Sequence, residues 1–128
     1  MRALESPDAW WRELARRLLI ERAAVDSVGA IGRVAAESRR PEARVQALWT
    51  LHGLGRLRAE VIEAAARDAS AGVREQAVVL AGRRLTADSR FGPLLVRAAS
   101  DADARVRRLA GIGADAHVRQ HRAAFLGE

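Results

Sequence analysis

The chain has 128 residues, with 22 arginines and no lysine, 16 acidic residues, no cysteine and a formal charge of +6. That length holds one domain or less, and a composition 49% hydrophobic and 30% charged excludes both a disordered tail and a membrane-spanning run. Without cysteine there is no disulfide, thiolate zinc site, CxxCH haem attachment or catalytic thiol.

The first element opens at Ser6-Pro7-Asp8, where capping side chains and an early proline favour a helix start. Trp11, Ala15, Leu18 and Leu19 follow at offsets 0, 4, 7 and 8, one side of a 3.6-residue helix, so the spacing predicts a helix near 7–23 with that stripe in the core. A break at Ala24 to Asp26 leads to a shorter pattern, Val25, Val28, Ile31 and Ala35, and a helix near 25–37. Arg40-Pro41-Glu42 starts the next helix, near 41–52, which ends at Gly53-Leu54-Gly55; Leu57, Val61, Ile62 and Ala65 mark another near 58–67. Asp68-Ala69-Ser70 opens a helix near 71–84 with the stripe Val73, Ala77, Leu80 and Ala81. After Thr86 to Ser89, the residues Phe91, Leu94, Leu95 and Ala98 predict a helix near 91–99. Asp101-Ala102-Asp103 starts a helix near 103–112, and beyond a break at Gly113 to Asp115 come Val118 and Phe125, a last helix near 116–125. No strand-like alternation of useful length occurs.

These elements repeat. Trp11-Arg12 with Ala15, Ala43-Arg44 with Ala47, Val73-Arg74 with Ala77 and Val106-Arg107 with Ala110 recur every 30 to 33 residues, a helical-repeat period. The expected fold is all-α, a right-handed α-solenoid of about four hairpins forming one domain over 1–128, with repeats near 7–38, 40–67, 70–99 and 102–126. Ala47, Ala77 and Ala110 allow first helices to approach closely, and a larger residue there would overpack. The arginine after each stripe start suggests a stacked ladder in which each guanidinium reaches a neighbouring acidic turn, for example Arg107 toward Asp68 or Asp103.

The basic balance points weakly to nucleic acid. With no lysine or tyrosine the high isoelectric point follows from arginine usage, and Ala fills 28 positions, as a compositional bias would produce. Residues 71–100 alone are lopsided, with five arginines against two acids. His117 and His121 stand four apart, as metal ligands on one helix face do, but Val118 follows where the zincin pattern has glutamate, no cysteine exists, and Asp115 is the only nearby acid. His52 falls at a helix end opposite the core stripe, where the helix dipole favours its charge. Glu60 and Glu63 share a helix face and read as a solvated pair. No GxSxG, phosphate-cradling loop or dinucleotide fingerprint occurs, so no catalytic, cofactor-binding or metal residue is assigned.

The Val-Arg-x-x-Ala pattern after an Asp-containing turn resembles the HEAT repeat of the PBS-lyase HEAT-like subtype. AWWRELARRLLIERA at 9–23, EARVQALWTLHGLGRL at 42–57 and DASAGVREQAVVLAGRRL at 68–85 are similar to the HEAT module of PVC-type heme-binding CxxCH proteins, also called membrane-bound dehydrogenase-like. In that bacterial family a sugar-dehydrogenase-type propeller precedes the module and a c-type cytochrome domain follows it. This chain contains neither, so the resemblance implies a scaffold or spacer without haem or redox activity. It would also imply an exported protein, although MRALESPDAWWRELARR lacks the features of a secretory signal.

The expected partner is therefore a protein or a neighbouring domain, with no membrane, no cofactor and an open oligomeric state. The alternative is a nucleic-acid-binding solenoid resembling the alkylpurine DNA glycosylases, but the second helices here carry no tryptophan and balance arginine with Glu60 and Glu63. Two surfaces are candidates for the partner. Arg33, Glu63, Arg67, Arg97 and Arg122 are polar positions of the concave row of second helices; Trp10 and Trp49, in a row with Val79 and Ile112, lie 100 to 120° off the core stripe and could anchor a docked domain.

Overall fold

The computed structural model of the chain describes residues 2–22, 25–85 and 87–125; the expected roles of Val25, His121, Arg122 and Phe125 fall outside the described side chains. Among the described residues every regular element is helical: α1 (Ala9–Glu21), a 3-10 turn (Val25–Ser27) running into α2 (Val28–Glu37), α3 (Pro41–Gly53), α4 (Ala59–Ala65), α5 (Ala71–Arg84), α6 (Phe91–Ala98) and α7 (Ala104–Phe125). The fold is all-α. The chain divides into two compact units, Met1–Val73 and Arg74–Glu128.

In the first unit α1 packs on α3, and α2 packs on both α3 and α4. Local chemistry sets the ends. Asp8 caps α1 by accepting the Trp10 N–H at 2.9 Å, and Pro41 occupies the first turn of α3, where a missing N–H costs nothing. α3 stops in a Schellman turn: Arg56 N–H donates to the Leu51 carbonyl at 2.9 Å and Gly55 N–H to that of His52 at 3.0 Å. Gly55 takes φ +70, which a side chain would strain. The core gathers Ile31, Ala43, Ala47, Leu48, Leu51 and Ile62, together with Leu4 from the N-terminal turn, which no periodicity marks.

In the second unit α6 packs on α7. Ala77, Leu80, Phe91, Leu94, Val106 and Ala110 are buried, so the close-packing alanines Ala47, Ala77 and Ala110 all lie inside. α5 and α7 approach so closely that a Cβ on Gly82 would stand 3.4 Å from the Gly113 Cα.

Two expectations are corrected. The stripe of the first repeat is not core: α1 has no buried residue, and Trp11 and Leu18 are 53% and 39% exposed. The reason is the docking face. α1 leans on α3 through Ile20, whose δ1 carbon lies 2.5 Å from where a Gly53 Cβ would stand, and through Glu13, and this turns the Trp11–Leu18 side outward. The second correction concerns the C-terminal hairpin. α7 runs unbroken through Gly113 to Asp115, because Gly113 serves close contact with Gly82 and Leu95 inside a helix and does not adopt the left-handed turn that Gly55 does. Val118 is accordingly exposed rather than core.

Candidate interaction site

The arginine after each stripe start performs a repeated task at the turn preceding its helix. Arg12 Nη1 donates to the Ser6 carbonyl at 2.8 Å, Arg44 Nη1 to that of Ser38 at 2.6 Å and Arg107 Nη1 to that of Asp101 at 2.7 Å. Each acceptor lies six residues upstream. The same turns carry an Asx or Ser cap: Ser6 Oγ accepts the Asp8 N–H, Ser38 Oγ the Arg40 N–H, Asp68 Oδ1 the Ser70 N–H and Asp101 Oδ1 the Asp103 N–H.

Two of these arginines also reach forward to the next turn. Arg44 clasps Asp68 through Nε and Nη2, both at 2.8 Å, and Arg74 clasps Asp101 at 3.0 and 3.1 Å. Both pairs are largely shielded from solvent. The Arg74 guanidinium, helped by the Asp103 N–H, holds the Asp101 carboxyl below its usual range. The ladder therefore runs forward along the chain, not from Arg107 back to Asp68 or to the Asp103 carboxylate, because the guanidinium has to span from one helix start to the following turn. Its first rung lacks the acid: Ser38 stands where Asp68 and Asp101 stand in the later repeats, and the buried Nε of Arg12 has no acceptor.

α1 and α3 share a second polar contact. Glu13 accepts from Arg16 and, at 3.3 Å, from Gln46 Nε2, and the Arg16 hydrogen bond holds the Glu13 carboxyl below its usual range. The buried Arg16 Nε and Gln46 Oε1 remain unsatisfied, so this contact is less complete than the two arginine–aspartate clasps.

Of the concave candidates, Arg33, Glu63, Arg67 and Arg97 are all exposed. Glu60 is drawn to Arg58 at 3.7 Å in an exposed pair, which binds weakly. Of the tryptophan row, Trp10 is 63% exposed and Ile112 is also exposed, whereas Trp49 and Val79 are half-buried. Trp10 meets Trp11 edge to face at 4.8 Å, and Trp49 meets His52 likewise at 5.5 Å. His52 is half-buried in the last turn of α3 rather than free in solvent.

The periodicity gave no sign of a groove between α6 and α7. It has a volume of about 410 Å³ and is lined by Leu95, Val96 and Ala99 on one side and Gly111, Ala114 and Val118 on the other, with Ser89 and His117 its polar members. Val96 is 74% and Val118 60% exposed. The groove lies open where the expected turn at Gly113 to Asp115 would have returned a helix; Gly111 and Gly113, which leave one wall without side chains, were the available signal.

Among the described residues no three His, Asp or Glu side chains gather as metal ligands, and no helix is long and apolar enough to cross a membrane. No protein-family model, curated protein or solved structure matches the chain.

Proposed function

We propose that the chain is a non-catalytic helical-repeat scaffold, a HEAT-like right-handed solenoid of about four repeats that binds a protein or a neighbouring domain. The observation that carries this reading is apolar surface left open at helix faces, the Trp11–Leu18 side of α1 and the α6–α7 groove, because large exposed apolar patches mark sites of protein association. The Arg-x-x-Ala repeat and the forward arginine–aspartate pairs support the repeat architecture, since each clasp ties one helix start to the next turn. The similarity to the HEAT module of the CxxCH proteins makes a propeller or cytochrome domain the class of partner to try first.

Capture by the immobilised chain of a purified sugar-dehydrogenase-type propeller or c-type cytochrome domain, weakened by Trp10→Ala or by Arg67→Ala, identifies the face used. A duplex DNA titration across salt supplies the opposing test. Weak binding that disappears at physiological salt agrees with a compositional charge; tight binding at that salt would move the chain to the nucleic-acid class.

A further inference from the structure

α1 is fastened to α3 incompletely. The helices α3, α5 and α7 each bury part of their own stripe, with Ala47, Ala77 and Ala110 inside, whereas α1 has no buried residue. Its polar contacts with α3 are unfinished as well. Glu13 accepts from Gln46 at a long 3.3 Å, and the buried Arg12 Nε, Arg16 Nε and Gln46 Oε1 have no partner among the described residues. These atoms have given up water without gaining a hydrogen bond, a loss that is recovered when the helix leaves. Arg12 also lacks the forward aspartate that ties Arg44 and Arg74 to the following turn, because Ser38 stands there.

The seat of α1 is a notch. Ile20 fills the space beside Gly53, where a Cβ would stand 2.5 Å from its δ1 carbon, and Gly53 does not take the left-handed conformation of Gly55, so this glycine supplies room and not a turn. Gln46, Trp49 and Gly53 follow one another at helical spacing on one face of α3, and Trp49 is half-buried. We infer that α1 is a releasable strap: it leaves α3 as a unit while α2, α3 and α4 stay packed, and so controls access to the Gln46–Gly53 face. Another side chain can enter the Gly53 notch only after Ile20 has left it. Leu4 is fully buried ahead of α1, and α2 packs on α3 and α4 behind it, so the strap stays tethered at both ends and can return. α1 has 13 residues, and isolated helices shorter than about 12–15 residues are marginal in water, so release also opens its hydrogen bonds. The inference needs neither the scaffold reading nor the family resemblance.

Hydrogen exchange of the intact chain, followed by mass spectrometry over peptides of α1 and α3 with increasing urea, tests it. The α1 amides from Arg12 to Arg22 are expected to exchange about a hundredfold faster than those within α3, with a weaker urea dependence, because a local opening exposes less surface than unfolding. Gly53→Ala should speed α1 exchange about tenfold by crowding Ile20, while α3, which gains a better helix former, changes less. In an Ile20→Ala background the same substitution should add nothing, since no side chain is left to crowd. Ser38→Asp should slow α1 exchange about fivefold by giving Arg12 its missing acceptor. Circular dichroism checks that each variant keeps its helices, and Glu13→Ala, expected to speed α1 exchange, replaces Gly53→Ala should that variant fail. Exchange of α1 and α3 at one rate with one urea slope would overturn the inference, as would folded variants in which the two helices change together.

Discussion

Arg74 and Asp101 stand 27 residues apart and meet through two hydrogen bonds, Nε to Oδ2 at 3.0 Å and Nη2 to Oδ1 at 3.1 Å. The same aspartate accepts the Asp103 N–H at 2.8 Å, so one carboxylate both shapes the turn that leads into α7 and fastens that turn to α5. Arg44 and Asp68 reproduce the arrangement one repeat earlier. A planar guanidinium suits this two-pronged contact, and a lysine would not replace it.

Removing a clasp should cost more than an ordinary surface ion pair. Hydrogen bonds to charged groups contribute about 1.5–3 kcal/mol, and Asp101 would lose Arg74 while remaining partly shielded. Arg74→Ala and Asp101→Ala are each expected to lower the unfolding midpoint in urea, and the double variant to cost less than the sum. Additive losses would mean the two side chains do not support one another.

Acid should weaken the fold through Asp101. Its folded carboxyl titrates below its unfolded value of about 3.9, so its contribution is complete above that pH and is lost as pH falls through the lower folded value. Stability measured between neutral and strongly acidic pH should therefore decline less steeply in Asp101→Asn, which starts lower, than in the unmodified chain.

The incomplete first rung can be finished. Ser38→Asp would keep the turn, since an aspartate oxygen can accept the Arg40 N–H as Ser38 Oγ does, and would present a carboxylate to the unsatisfied Nε of Arg12. A gain of about 1 kcal/mol is expected, less than a charged hydrogen bond contributes elsewhere because the introduced carboxylate must first be desolvated. Thermal melts should show the gain disappear in an Arg12→Ala background.

Ala77 is fully buried where helices approach, so Ala77→Leu is expected to destabilise by about 1–3 kcal/mol through overpacking. An unchanged melting midpoint would show that this position tolerates the extra volume and that the alanine is not what sets the approach.

Much of this architecture was legible in the order of residues. The apolar offsets, the caps at Asp8 and Asp103, Pro41 at a helix start and the left-handed Gly55 are local, so helix positions and the burial of Ala47, Ala77 and Ala110 followed from spacing alone. What spacing could not decide was which side of a helix finds a neighbour. Trp11 and Leu18 have the offsets of a core stripe, yet α1 lies against α3 by another face, because Ile20 and Glu13 find partners there. Gly113 reads as a turn in sequence and is a point of close helix contact in the fold, and only the proximity of Gly82 distinguishes the two uses of the same residue. The α6–α7 groove follows from that difference: a helix that does not turn back leaves its seat open, and this depends on contacts between residues distant in the chain.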